Sequence, residues 1–250
     1  MILAKYLEHS CSTLNIAGCR AIELGAGTGF CGIALAALGA EVSRDDCMPS
    51  RASADSALAR HASDNSVSPL TITSSYNQHS RLRFMCDKPS DFSWTLYHDW
   101  REQEVILTDL PYALSNLAAN IAANEGIWSH SSTSVTAQAL DWKHADTACA
   151  QLGSRFDLIV AADVVWLDDL ISPFVHTLEC LTASDSAASD KLATVILLSY
   201  QERSRATTAI LMRELGRAFS TERISDSSLH HNYRSDKIAV YRIQRRTVTK

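Results

Sequence analysis

Chemistry-bearing residues stand at four places in the chain. One is the glycine-rich run Glu23-Leu24-Gly25-Ala26-Gly27-Thr28-Gly29; the others are the acids Asp109, Asp141 and Asp163, each following an apolar stretch. Glycine has no side chain to keep a ligand off the backbone, so a strand ending in such a turn and opening a helix suits close approach of a nucleoside. The spacing is G-x-G-x-G, and Phe30 stands where a dinucleotide fingerprint wants its third glycine. Glu23 before the turn would also repel a pyrophosphate. A neutral-to-cationic nucleoside fits better, and S-adenosylmethionine, with its sulfonium and amino groups, meets that description. An acid ending the second strand, Asp109, is placed to accept both ribose hydroxyls, each charge-assisted bond contributing on the order of 1.5–3 kcal/mol. Asp141 could accept an adenine amino group while Trp142 packs on the ring. The plainer alternatives are a solvated turn for Asp141 and a helix N-cap for Asp109, since Pro111 could start the next helix.

These residues need a scaffold that brings strand ends together. Apolar runs at residues 21–24, 104–110, 135–140, 156–163 and 194–199 read as strands, and Phe156-Asp157-Leu158-Ile159-Val160-Ala161-Ala162 has the continuous core of a strand buried on both faces. Helical spacing follows at residues 30 to about 38, 114–124, 170–181 and 205–219, and residues 222–225 and 237–243 read as a terminal hairpin. Strands alternating with helices predict an α/β, doubly wound, mostly parallel sheet, with the hairpin adding an antiparallel strand. In such a sheet ligands sit beyond the carboxyl ends of the central strands, where the glycine turn, Asp109, Asp141 and Asp163 fall.

The chain of 250 residues, 46% hydrophobic, suits a single domain. Residues 43–103 break its pattern: they are rich in Ser, Asp, Arg and His with little periodicity, too long a stretch for a loop of a compact unit. They read as a disordered or irregular insert, and removing them would run Ala40-Glu41-Val42 into Ile106-Leu107-Thr108-Asp109 as one second strand. A net charge of −5 and the lack of a basic, aromatic stripe speak against nucleic acid, and Arg242, Arg245 and Arg246 read as a solvated tail. No apolar run approaches the roughly 20 residues of a membrane span. The 7 cysteines, without a C-x-x-C pair, read as reduced thiols, which makes cytoplasm or nucleus the expected location. His130, His144 and His176 read as surface residues, and oligomeric state leaves no trace.

Three segments together carry a family resemblance: residues 22–29, Leu107-Thr108-Asp109-Leu110-Pro111 with Leu114, Leu117, Asn120 and Asn124, and Ala162-Asp163-Val164-Val165-Trp166. They resemble the seven-β-strand methyltransferases, and more narrowly the protein-lysine methyltransferases called methyltransferase family 16. That family reads E-L-G-x-G-x-G, T-D-x-x in the second strand and D-x-x-Y/F after the fourth. Leu198-Ser199-Tyr200-Gln201-Glu202-Arg203 also matches its fifth-strand region. Two departures stand out: Trp166 occupies the Y/F position, and Met1-Ile2-Leu3-Ala4-Lys5-Tyr6-Leu7 already resembles the helix directly before the first strand. Family members carry more N-terminal sequence, including a cofactor-contacting tryptophan.

The resemblance implies a seven-stranded Rossmann-like methyltransferase sheet, S-adenosylmethionine as cofactor, and methyl transfer to the lysine amine of an intracellular protein, without nucleic acid or membrane partners. Cofactor contacts are expected from Glu23, Gly25, Ala26, Gly27, Gly29, Asp109, Leu110, Asp141, Trp142 and Ala162, and catalysis from Asp163 and Trp166; no metal is expected. Asp163 would orient the amine, and Trp166 would face the cation, unless it simply packs under the next helix. The competing readings are a small-molecule methyltransferase and an inactive protein of the same fold.

Overall fold

The computed structural model describes residues 1–46, 70–72, 80–82, 102–153, 155–183 and 193–246. Helix α1 (Ile2–His9) leads into strand β1 (Arg20–Leu24), and helix α2 (Phe30–Asp46) leaves the glycine turn. Two short strands, β2 (Leu70–Ile72) and β3 (Ser80–Leu82), pair antiparallel with each other. The remainder of the expected insert up to residue 101 lies outside the described residues. Then follow β4 (Gln103–Asp109), α3 (Leu114–Asn124), β5 (Thr133–Ala139), α4 (Ala145–Gln151), β6 (Leu158–Ala162), α5 (Ile171–Leu181), β7 (Val195–Gln201), α6 (Arg205–Ala218), β8 (Phe219–Arg223) and β9 (Ile238–Arg245).

The main sheet has seven strands in the order β5-β4-β1-β6-β7-β9-β8. β1 pairs parallel with both β4 and β6, β4 with β5, and β6 with β7, while β9 runs antiparallel to β7 and to β8. The expected doubly wound sheet with a terminal antiparallel strand is therefore present. Alternate strand residues face opposite cores: Ala21, Val105, Leu158, Val160 and Leu197 pack with α1 and α2, whereas Ile22, Ile106, Ile159, Ala161, Ile196 and Leu198 pack with α4, α5 and α6. That two-residue alternation with both faces apolar is why the strands read as unbroken hydrophobic runs. The chain steps from β1 outward to β5, then returns to β6 on the other side of β1, so the sheet changes direction between β1 and β6.

Three local expectations differ. Helix α2 runs on to Asp46, so Ala40, Glu41 and Val42 are helical and do not begin a second strand. Within that extension Gly39 is a packing residue: a Cβ on it would lie 2.1 Å from Nε2 of Gln103. Arg245 and Arg246 are not a loose tail, because Arg245 Nη1 donates to the Glu179 carbonyl at 2.7 Å and Arg246 Nε to the Phe219 carbonyl at 2.9 Å. Cys11 is disulfide-bonded, whereas Cys19, Cys31, Cys149 and Cys180 are free thiols. No spacing rule could show that, since a disulfide depends on which chain segments the fold brings together. Among the described residues no helix is long and apolar enough to cross a membrane.

Candidate active site

The turn after β1 is built from left-handed backbone: Gly25, Gly27 and Gly29 have φ of 61°, 56° and 80°. Each glycine has a different neighbour. A Cβ on Gly25 would come within 2.8 Å of Val164 Cγ1 and 3.4 Å of Trp142 Cζ2, and one on Gly29 within 2.7 Å of Leu117 Cδ1. A Cβ on Gly27 would meet nothing within 4 Å. Gly25 therefore lets three strand ends close together, Gly29 lets α3 pack, and Gly27 presents bare backbone to open space. The turn is held from behind: Ala26 N donates to the Thr108 carbonyl at 2.8 Å, and Asn120 Nδ2 to the Thr28 carbonyl at 2.9 Å.

Asp109 ends β4 and completes the turn from the front. Its Oδ2 accepts from Gly27 N and its Oδ1 from Leu110 N, both at 2.7 Å. It does not cap α3; the short helical turn Pro111–Ala113 has Leu110 as its N-cap residue. Leu140 N donates to the Asp109 carbonyl at 2.9 Å, which brings the end of β5 alongside. There Asp141 caps the turn Trp142–His144, accepting from Lys143 N at 3.0 Å and facing His144 Nδ1 at 3.0 Å. That backbone bond, followed by His144 and Lys143, lowers the Asp141 carboxyl below the usual range. Trp142 lies between Gly25 and Phe174, its ring 5.2 Å from that of Phe174. Gly25, Gly27, Asp109, Leu110, Asp141 and Trp142 thus come together at one edge of the sheet, as their places in the chain predict.

Glu23 stands apart from that group. Its side chain is buried, and Oε2 accepts from Gly32 N at 2.7 Å, filling a first-turn donor of α2 that has no partner within the helix. Burial pushes its carboxyl up to about 7 against the pull of the helix amides. Glu23 supports the turn from beneath, Ala26 is buried, and Gly29 makes room for Leu117.

Beyond β6, Ala162 leads into Asp163, which has φ of 58°. Holding a non-glycine residue there costs on the order of 1 kcal/mol. Asp163 N donates to the Ser199 carbonyl at 2.8 Å, and its carboxylate is gripped by Arg203, Nη1 to Oδ1 at 2.6 Å and Nη2 to Oδ2 at 2.8 Å. The two-pronged pair fixes the carboxylate plane as well as its position. The sequence alone did not indicate the Arg203 grip on Asp163, although its place just after the fifth parallel strand was a signal. Trp166 is 57% exposed, so it is not packed under α5, and Leu110, Tyr112 and Leu167 beside these strand ends are exposed too.

The arrangement can hold a nucleoside on bare backbone and a fixed carboxylate, next to a second carboxylate and an exposed aromatic ring. S-Adenosylmethionine fits this donor set: Gly27 leaves space, Asp109 retains lone pairs for hydroxyls, and Trp142 and Val164 wall the turn.

Comparison with known proteins agrees. The pattern of the family described as lysine methyltransferase matches residues 1–74 and 95–215. Protein N-lysine methyltransferase METTL21A of Mus musculus is 24% identical over 246 residues, covering 98% of this chain and 74% of the mouse protein. Among solved structures, a predicted O-methyltransferase, protein Atu636 of Agrobacterium tumefaciens, has a TM-score of 0.49 at 11% identity, covering 98% of this chain and 81% of that one. The O-methyltransferase of Bacillus cereus in complex with SAH has a TM-score of 0.47 at 11% identity, covering 97% and 80%. With the family pattern spanning both halves of the parallel sheet, the chain belongs to the lysine methyltransferase family of S-adenosylmethionine-dependent enzymes.

Proposed function

We propose that the protein methylates the side-chain amine of a lysine in an intracellular protein, working in the cytoplasm or nucleus. The observation that carries this reading is the turn after β6, where a strained, clamped Asp163 carboxylate and the exposed Trp166 ring stand three residues apart beside the cofactor edge. The name of the mouse relative, a protein N-lysine methyltransferase, supports it.

When bound, the cofactor supplies an electrophilic methyl group on a sulfonium. Gly27 and Asp109 would hold its ribose side, and Asp141 and Trp142 its base. The attacking nitrogen must be neutral, and a free lysine of pKa about 10.4 needs roughly 4.6 kcal/mol for that at pH 7. Asp163 has both oxygens engaged by Arg203, which suits it to align the amine by accepting its hydrogens while water takes the proton. Trp166 offers a π face to the cationic amine and to the methylated product, without the hydroxyl acceptor that a tyrosine would bring. Positioning of this kind supplies much of the rate in a reaction without covalent catalysis.

The test is transfer of labelled methyl from the cofactor into reduced cell lysate, followed by hydrolysis and amino-acid analysis. Label in methyl-lysine, lost with Asp163→Asn while cofactor binding persists, supports the proposal. Label found only in small molecules points to the second class of acceptor. Cofactor binding without any transfer marks an inactive member of the family.

A further inference from the structure

Away from the strand ends, α4 and α5 pack against each other, with Ala145, Cys149, Val175 and Leu178 buried in their shared core. On the solvent side of that contact three metal-ligating atoms converge: Asp146 Oδ1, His176 Nε2 and Cys180 Sγ. His176 and Cys180 stand four apart on α5, so they share one helix face, and Asp146 reaches them from the first turn of α4. The separations are 3.0 Å from oxygen to nitrogen, 3.5 Å from sulfur to oxygen and 3.7 Å from sulfur to nitrogen. Among the described residues no other three His, Cys, Asp or Glu side chains bring ligand atoms within 4.8 Å of one another.

An exposed ion pair needs only the carboxylate and the imidazole. The thiol closes a triangle, and the triangle fits one face of a coordination tetrahedron. With Zn–S of about 2.3 Å and Zn–N or Zn–O of about 2.0–2.1 Å, tetrahedral angles put O···N at about 3.3 Å and S···N or S···O at about 3.5–3.6 Å. The observed edges match these within a few tenths of an ångström. Core packing fixes where the three side chains start, because Ala145 beside Asp146 and Val175 beside His176 are buried between the helices. On the far side of the imidazole, Glu179 Oε2 faces His176 Nδ1 at 3.9 Å, the place from which a carboxylate orients a metal-bound ring.

We propose that Asp146, His176 and Cys180 bind a Zn2+ ion at an open, exchangeable surface site, with solvent water as the fourth ligand. A thiolate and an imidazole select zinc over Ca2+ or Mg2+, which take oxygen ligands. Asp146 and His176 are exposed and Cys180 is half-buried, so both the ion and its water reach the site from solvent. With three protein ligands the site fills and empties with the surrounding zinc, unlike a closed structural centre. Coordination forms one Zn–S, one Zn–N and one Zn–O bond. The thiol proton passes to solvent, the imidazole keeps its proton on Nδ1, and nothing is oxidised or reduced. The ion links α4, which follows the turn of Trp142, to the helix that carries Phe174. The site does not rest on methyl transfer.

The full chain, stripped with a chelator under argon with its disulfide intact, is titrated with Co2+ and then with Zn2+. The expected result is one cobalt per chain, with tetrahedral visible bands and a thiolate charge-transfer band that zinc abolishes, and a Tm that rises with zinc. Cys180→Ser removes the charge-transfer band. His176 is 48% exposed, so His176→Ala keeps the metal-free fold and Tm and weakens zinc at least about 100-fold, which decides the case even if the serine variant unfolds. Asp146→Asn weakens zinc in the same direction, and Glu179→Gln does so about tenfold with the band retained. Absence of a thiolate band in protein whose Cys180 is alkylated as a free thiol overturns the proposal. So does a band that survives Cys180→Ser, or zinc affinity unchanged by His176→Ala.

Discussion

In the proposed function Asp109 and Arg203 would divide the work of the site, one on the cofactor side and one on the acceptor side. Asp109→Ala removes the acceptor for Gly27 N and, in the proposed function, for the ribose hydroxyls as well. With about 1.5–3 kcal/mol per charge-assisted bond, S-adenosylmethionine affinity should fall at least about 100-fold by calorimetry. A loss under tenfold would mean that the carboxylate serves the turn alone. Arg203 pairs with Asp163 through both of its Nη atoms, so in the proposed function it acts through that carboxylate. Arg203→Ala should lower kcat by about 10- to 100-fold with cofactor affinity unchanged, and Arg203→Lys should recover only part, since an ammonium cannot make the two-pronged grip. Equal activity of the Ala and wild-type proteins would reduce the pair to a surface contact, which by itself is worth at most about 1 kcal/mol.

At the scale of elements, the joint between β1 and α2 carries a titratable group. Glu23 is buried at the start of α2, and its carboxyl stands at about 7 instead of near 4.5 because burial disfavours the charge. The protonated form is therefore favoured by folding. That contribution is fully present below pH 4.5, and it is lost as pH rises through about 7, on the order of 3 kcal/mol in all. Glu23→Gln keeps an acceptor for Gly32 N without the titration. The Tm of the variant minus that of the wild type should grow between pH 5 and pH 8, and a pH-independent difference would refute the assignment. Glu23 also shows how a residue of a glycine-turn motif can hold the start of the following helix from within. Its type and place were legible as part of E-L-G-x-G-x-G, but not the direction of its side chain, which depends on where α2 begins.

For the molecule as a whole, Gln103 is a tie between layers. Buried at the start of β4, its Nε2 donates to the Ile16 and Leu35 carbonyls at 3.2 and 3.1 Å, and its Oε1 accepts from Thr133 Oγ1 at 3.0 Å. Gln103→Ala should cost about 3 kcal/mol in urea unfolding, through the cavity and the groups left without a partner, with an unchanged m-value. A change under about 1 kcal/mol would show that water replaces the amide. Gln103 also explains why α2 runs past residue 38: Gly39 does not end the helix but makes room for a side chain far along the sequence. What the sequence by itself determined was whatever is encoded within one turn or strand: the glycine turn, the apolar runs of β1, β4, β6 and β7, and the acids that end them. Buried parallel strands need continuous apolar residues, and a tight turn needs glycine, wherever the rest of the chain goes. Tertiary packing alone decided the Arg203 grip on Asp163, the inward turn of Glu23 and the meeting of Asp146, His176 and Cys180. Each of those joins side chains from separate elements, and a contact between elements is set by how helices and strands dock, which no local pattern of residues records.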